Sequence, residues 1–340
     1  MSESFRRLLP FFAAAVVGVA PCAAQTLKVG EKAPEFELAG PLHHGDGRRA
    51  LSEFVGNVVF VEWWGYYCPL CRGAGVPFAV KLAEDHAKNG LVCVLIETLA
   101  VPESTLHDYF AAKHPGSRCV LATGQTLETD PPRGGPLHAA LIGVDGTVLW
   151  HGIPTAQQKK IEDLVEAEGK KLRAGWGVSS ETKKARQLAY AQGKLGEAHR
   201  TLESVAATSS AEEKTDVAAA RKELDARRAA RRRSIDVLKE AGRFGDAQKV
   251  AQQLQKDVKG RADWEKEAAR DVESFRTTDA EKELRADGVL GKLLGQFPDR
   301  PAGTEAAAAL KAFAGRHEGT AAAKRALRLA RAATFDPEKS

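Results

Sequence analysis

The run Val58-Val59-Phe60-Val61-Glu62-Trp63 constrains this chain more than any other segment. A stretch that is apolar at both odd and even positions is buried on both faces if it is a strand, so other elements must cover it on each side. The next hundred residues supply such cover. Val76, Val80, Leu82, Ala83 and Ala87 recur at helical spacing, and Asn89-Gly90 ends that helix. A second buried strand is predicted over Leu91 to Glu97, then a helix from Pro102 carrying Leu106, Tyr109 and Phe110. A Pro/Gly-dense loop, Asp130 to Pro136, leads into a strand at Ala139 to Val144. Asp145-Gly146 is a tight-turn signal, Thr147 to Trp150 is the return strand, and Gln157 to Leu172 reads as a helix. The order predicts an α/β unit over residues 27–175, with a mixed sheet between helices.

Beyond Trp176 the residue usage changes. Ala, Glu, Lys, Arg, Gln and Leu dominate, and strand-like runs disappear. Gly193-Lys194-Leu195-Gly196-Glu197-Ala198 is echoed by Gly242-Arg243-Phe244-Gly245-Asp246-Ala247, each between two apolar helical segments. Phe297 with Gly303-Thr304 is echoed by Phe313 with Gly319-Thr320. Such self-similarity predicts an all-α region of stacked hairpins over 176–340, of the tetratricopeptide or solenoid sort. A long coiled coil over Ala211 to Glu240 is the structural alternative. The arginines at 227, 228, 231, 232 and 233 read as a solvated helix face; the second reading is a docking patch for an acidic partner or anionic lipid, which leaves transient association with a membrane surface open.

Arg6 and Arg7, the apolar run Leu8 to Ala20 and the small residues Cys22, Ala23 and Ala24 fit the pattern of a secretory signal peptide over residues 1–24. The protein is therefore expected outside the cytoplasm, in a periplasm or its equivalent, and membrane-anchored only if that segment stays attached. The net charge of +5 on 340 residues is mild and the two signs are interspersed, so nucleic acid is not an expected partner. Export permits disulfides, yet four cysteines after the signal are too few for a disulfide scaffold. Cys93 and Cys119 lie in apolar runs and read as small buried residues.

Cys68-Pro69-Leu70-Cys71 is different. It comes directly after the buried strand and opens a helix, where unpaired backbone N–H groups favour an anion and lower a thiol pKa. Two intervening residues on a first helical turn bring the sulfurs within bridging reach and leave the first more accessible. A thiolate there can attack a disulfide, and the second cysteine can resolve the mixed disulfide. The competing reading, half of a zinc site, needs two more ligands, and no second Cys-x-x-Cys exists in the chain. Neither metal nor cofactor is expected.

Val29 to Leu38, Leu51 to Val59 and the string Trp64-Gly65-Tyr66-Tyr67-Cys68-Pro69-Leu70-Cys71-Arg72 together resemble TlpA/ResA-type thioredoxin-like proteins over about residues 27 to 155. The resemblance implies a thioredoxin fold, an extracytoplasmic site of action, and dithiol–disulfide exchange with Cys68 attacking and Cys71 resolving. It also implies a cis-proline facing the dithiol; Pro136 is the candidate, although alignment of His138 to Ile142 puts Leu137 in that slot. Three positions depart from the family pattern. Glu62 stands where the family has an apolar residue or Asn and thioredoxins proper have a buried Asp, and a buried carboxyl of raised pKa suits a proton acceptor for Cys71. Ala74 replaces a frequent glutamate. Pro77 falls one residue later than the usual helix proline. The expected catalytic residues are thus Cys68, Cys71 and Glu62, with Trp64, Tyr67 and Pro136 meeting the substrate. The expected partners are cysteine-bearing proteins and a redox partner, recruited by the helical region. The alternative is a helical-repeat scaffold whose thioredoxin-like part is vestigial or regulatory.

Overall fold

The structure is a computed structural model that describes residues 26–43, 48–114, 116–123, 128–129, 135–205, 210–297 and 303–335. The expected signal segment, 1–24, and most of the loop before Pro136 lie outside these residues. Among the described residues no helix is long and apolar enough to cross a membrane.

A six-stranded mixed sheet organises the first half. Its strands are β2 (Ala39–His43), β3 (Val58–Trp64), β4 (Leu91–Glu97), β5 (Val120–Thr123), β7 (His138–Ile142) and β8 (Val148–Gly152), in the order β2-β5-β4-β3-β7-β8. A two-residue pairing of β1 (Thr26–Leu27) with β6 (Glu128–Thr129) stands apart. β3 runs parallel to β4 and antiparallel to β7, and all seven of its residues are buried. Alternation then divides its side chains. Phe60 and Trp64 join Cys93 and Leu95 in the core shared with α1 (Val76–Asp85), α2 (Glu103–Lys113) and α3 (Gln158–Ala174). Val59, Val61 and Trp63 face the other way, against Leu27, Phe36, Leu38 and the short turn Leu51–Phe54. This is the thioredoxin-like arrangement expected from the sequence, with additions: β1, β2, β5 and β6 were not among the predicted strands. β5 was not legible as a strand, because four residues are too few to set a period.

The second half is helical: α4 (Ser180–Arg186), α5 (Leu195–Glu203), α6 (Ala211–Glu240), α7 (Phe244–Asp257), α8 (Ala262–Glu273), α9 (Thr278–Leu294), α10 (Gly303–Arg316) and α11 (Ala321–Ala333). The echoed glycine motifs are hairpin turns. Gly193 and Gly242 adopt φ of 71° and 74°, a left-handed conformation that closes a helix cheaply only when no Cβ is present. The second glycine of each motif sits where chains meet: Gly196 abuts the carbonyls of Val258 and Lys259, and the Gly245 N–H donates to Asp287 at 2.8 Å. α6 packs on α5, α7 and the Leu51–Phe54 turn, so it belongs to the array and not to a coiled coil.

The arginine run on α6 is only partly solvated: Arg232 and Arg233 keep about two-fifths of their side chains exposed, and the run is turned toward acids of other segments. Arg231 reaches buried Asp257, Arg228 reaches Glu267, and Arg232 forks onto Asp271 at 2.9 and 3.1 Å. Arg233 reaches back to Glu53, and Arg227 lies 4.8 Å over the Tyr190 ring. These charges face the protein's own carboxylates and aromatics, which removes the observation behind a membrane-surface association. The periodic pattern marks a helix face, but whether that face meets water or another helix is a tertiary fact.

The two halves share one apolar core, running from Val58 through Trp176 and Tyr190 to Phe275. Trp176 stacks on Tyr190 at 5.2 Å, and the Tyr190 ring lies against Gly56, where any Cβ would collide with it. Behind this contact Arg186, 3% exposed, donates to Glu223 twice at 2.9 Å, to Asp216 at 2.7 Å and to the Trp176 carbonyl at 3.2 Å. At the far end α11 returns to the sheet unit, where Arg331 grips Asp108 of α2 at 2.7 and 3.2 Å. Removing the cation at position 186 strands two carboxylates in a low-dielectric setting. Arg186→Ala is expected to lower unfolding free energy by about 3 kcal/mol, read from urea melts; a change within experimental error would show that the network is not what holds the junction.

Candidate active site

β3 delivers its C-terminal end to a loop of Gly65, Tyr66 and Tyr67, after which Cys68 caps a helix. Cys68 and Cys71 form a disulfide with Cα atoms 5.2 Å apart. Cys68 is half-buried and Cys71 is 0% exposed, so an incoming sulfur can reach the first and not the second. The Cys71 backbone N–H donates to the Cys68 sulfur at 3.2 Å. With the helix N-terminus behind it, that donor stabilises charge on Cys68 when the pair is reduced.

The helix does not continue regularly. Cys71–Gly75 forms one π turn before α1 starts. A π turn accommodates one extra residue, which is the offset by which Pro77 falls late in the sequence. The same turn brings Gly75 down onto Glu62. A Cβ at Gly75 would lie 2.6 Å from Glu62 Oε1 and 2.7 Å from Leu137 Cδ1, so glycine is what lets the turn approach the carboxyl.

Glu62 is 0% exposed, and neither of its oxygens has a hydrogen-bond partner among the described residues. Burial, and then the neighbouring Cys119, push its pKa well above the ordinary carboxylate range. The carboxyl does not reach solvent at the sheet end. Its side chain lies on the same face of β3 as Phe60 and Trp64, beneath the turn that carries Cys71. Two free buried thiols line the neighbouring strands: Cys119 donates to the Ala79 carbonyl at 3.8 Å, and burial pushes the Cys93 thiol well above its ordinary value.

The other expected residues separate. Tyr67 is exposed beside Cys68. Trp64 is 1% exposed, with its ring 6.0 Å from Tyr109 and 5.9 Å from Phe110, so it shapes the site from below and is out of a partner's reach. The antiparallel register pairs Trp63 with His138, and its continuation sets Leu137 by Trp64 and Pro136 by Gly65. Leu137 is buried against Gly75, whereas Pro136 is exposed, 3.6 Å from where a Cβ on Gly65 would stand. Of this pair, Pro136 lies by the loop before Cys68 and Leu137 by the turn after Cys71.

One organising residue was missed by the sequence reading. Glu97, 1% exposed at the end of β4, accepts the backbone N–H groups of Tyr66 at 3.1 Å, Leu99 at 3.0 Å and Val101 at 3.1 Å. It holds the loop before Cys68 to the loop after β4. Its signal was a carboxylate closing an apolar strand, which sequence alone reads as the strand's exit to solvent.

No family model matches this chain, and neither does any curated protein. Solved structures do show likeness. A candidate thiol:disulfide interchange protein DsbE from Chlorobium tepidum is 24% identical, with a TM-score of 0.35, over 42% of this chain and 99% of its own. The thioredoxin domain of a thiol-disulfide oxidoreductase from Bacteroides vulgatus is 20% identical, with a TM-score of 0.32, over 42% of this chain and 98% of its own. A thiol:disulfide interchange protein of the thioredoxin family from Chlorobium tepidum TLS is 17% identical, with a TM-score of 0.33, over 41% and 95%. More than half of this chain lies beyond each likeness.

The two buried acids give opposite expectations for stability. Glu97→Ala leaves three backbone donors without an acceptor and is expected to cost about 3 kcal/mol, with Glu97→Gln costing less because it keeps the oxygen shared by Tyr66 and Leu99; chemical denaturation of both variants reads this. Glu62 acts in the other sense. A carboxyl whose folded pKa is raised supports the fold below its unfolded pKa and loses that support as pH climbs toward the folded value. Glu62→Gln is therefore expected to gain in melting temperature relative to the parent as pH rises from about 5 to about 8, a window that starts just above the ordinary carboxylate range. A pH-independent difference would refute the assignment.

Proposed function

We propose that this protein is an exported thiol–disulfide oxidoreductase acting on cysteine pairs of other proteins. The observation that carries the reading is the asymmetric dithiol: one reachable sulfur with a backbone donor aimed at it, one buried sulfur three residues on, and a sealed carboxyl beneath the turn. In the reducing direction the Cys68 thiolate attacks a partner disulfide, forming a Cys68–partner bond as the partner's own S–S bond breaks. Glu62 takes the proton from Cys71. The Cys71 thiolate then attacks the Cys68 sulfur, releasing the partner's second thiolate and leaving the Cys68–Cys71 disulfide. Two electrons pass to the partner; the oxidising direction runs the same steps in reverse.

Tyr67, exposed next to Cys68 in sequence, and Pro136, exposed beside Gly65, are proposed to contact the bound segment. The helical region is proposed to recruit the partner, since α11 is clamped to α2 and α2 contributes Tyr109 and Lys113 to the surface beside the dithiol. Export rests on the basic-then-apolar N-terminal sequence. The boundary between the two units is proposed near residue 175; the end of α3 at Ala174 and the φ of 80° at Gly175 support it.

The test is a trap. Cys71→Ser should accumulate mixed disulfides through Cys68, separable on non-reducing gels, and Cys68→Ser should form none. Adding Glu62→Gln to the wild-type dithiol should slow resolution by about 100-fold, seen as a longer-lived mixed disulfide. A wild-type protein that exchanges with no glutathione buffer would sink the enzyme reading in favour of the scaffold.

A further inference from the structure

We infer that Arg331, on the last helix of the array, is a positioning residue for thiol exchange: its grip on Asp108 sets the rotation of α2, and α2 seats the loop that leads into Cys68. This inference rests on the exchange reading above and goes beyond recruitment, because it ties the helical half to the chemistry itself. Three points around the dithiol lean on one ring. The Tyr109 centroid lies 6.0 Å from that of Trp64, the last residue of β3, and 5.6 Å from that of Tyr66, in the loop before Cys68. The guanidinium of Arg72, next after Cys71, lies 5.5 Å over the same ring and 5.1 Å over Tyr66. The Arg72 backbone N–H donates to the Cys68 carbonyl at 3.1 Å. Phe110, the next residue of α2, meets Trp64 edge-on at 5.9 Å.

The angle of α2 depends on a buried charge. Leu106, Tyr109 and Phe110 share the helix face turned to the core. Asp108 stands about 100° around the helix from Tyr109, with only 8% of its side chain exposed. A carboxylate so placed needs a cation, and Arg331 supplies it through two bonds, from Nε at 2.7 Å and from Nη2 at 3.2 Å. The helix that carries Arg331 is fixed by other contacts. Ala322, Ala326 and Ala330 share a core with Leu290 of α9 and Phe313 of α10. Arg325 reaches Asp287 of α9 at 3.1 Å, and Arg328 donates to the Ala241 carbonyl at 3.1 Å. Phe335, just beyond α11, packs on the core that contains Trp64, Tyr66 and Tyr109.

Without the cation, the Asp108 carboxylate is left charged in a low-dielectric setting, and turning α2 outward brings it to water. Tyr109 is the adjacent residue and turns with it. The supports of Trp64, Tyr66 and Arg72 then loosen together. So does the turn whose Cys71 N–H donates to the Cys68 sulfur at 3.2 Å. That donor and the helix N-terminus are what favour a thiolate at Cys68. The reactivity of the sulfur is thereby tied to a pairing of residues 223 positions apart.

Alkylation of Cys68 in the reduced full-length protein tests this, with iodoacetamide uptake at that residue followed by mass spectrometry across pH. The midpoint reports the thiolate directly and needs no partner. Arg331→Ala is expected to raise it by about half a unit, the size of a helix-terminus contribution. Arg331→Lys keeps the charge and should raise it by about half as much; this variant carries the test if the alanine variant does not fold. Asp108→Asn added to Arg331→Ala strands no charge, so the double variant should return most of the way to the parent midpoint. Arg325→Ala removes a cation of α11 that pairs with α9, and should leave the midpoint in place. An unmoved midpoint in Arg331→Ala would overturn the inference and make the clamp purely structural. An equal shift from Arg325→Ala would also overturn it, by assigning the effect to a loosened array. Failure of the reduced wild-type protein to exchange with a glutathione buffer would sink the exchange reading itself.

Discussion

Burial of β3 on both faces is the constraint on which the rest depends. A strand with no solvated side must be paired along both edges and covered above and below. Here β4 and β7 take the edges, α1 to α3 take one face, and the segment around Phe36, Leu38 and Leu51–Phe54 takes the other. Because the strand is so fully enclosed, the loop at its end is aimed in one direction, and the dithiol inherits that aim. The same enclosure removes Glu62 from water. A carboxyl in that position is costly in its charged form, and that cost is what raises its pKa above the ordinary carboxylate range.

The site is assembled by exceptions to regular structure. One π turn lowers Gly75 onto Glu62, and one carboxylate, Glu97, replaces the ladder partners that the Tyr66 loop has given up. Each exception has a local physical origin, either a missing Cβ or a buried acceptor with several donors. Together they fix a reachable sulfur above a sealed acid. The helical array belongs to the same rigid arrangement. Its apolar core is continuous with that of the sheet unit, and its last helix returns to α2.

Much of this was legible in the chain. The continuous apolar run, the Cys-x-x-Cys at its end and the Asp145-Gly146 hairpin signal are local patterns, and local patterns survive without coordinates. So are the paired Gly-x-x-Gly turns, since a left-handed residue such as Gly193 or Gly242 leaves its mark in composition. Less was legible wherever the answer depended on what lies opposite. The arginines of α6 have the spacing of a surface face, yet Asp257, Glu267, Asp271 and Glu53 come to them from distant segments. Trp64 has the look of a substrate platform and is core. β5 is too short to carry a period of its own, and it exists because β4 offers it an edge.

The sequence by itself determined the dithiol, the strand that presents it, the all-helical character of the second half and the presence of an acid within an apolar run. These come from residue type and spacing, which the chain carries wherever it goes. The tertiary structure alone decided that Glu62 is sealed from water, that Glu97 binds three backbone donors, and that Arg331 closes on Asp108. Burial and electrostatic neighbours are properties of packing across long sequence separations, and no local pattern encodes which surface will close over which side chain.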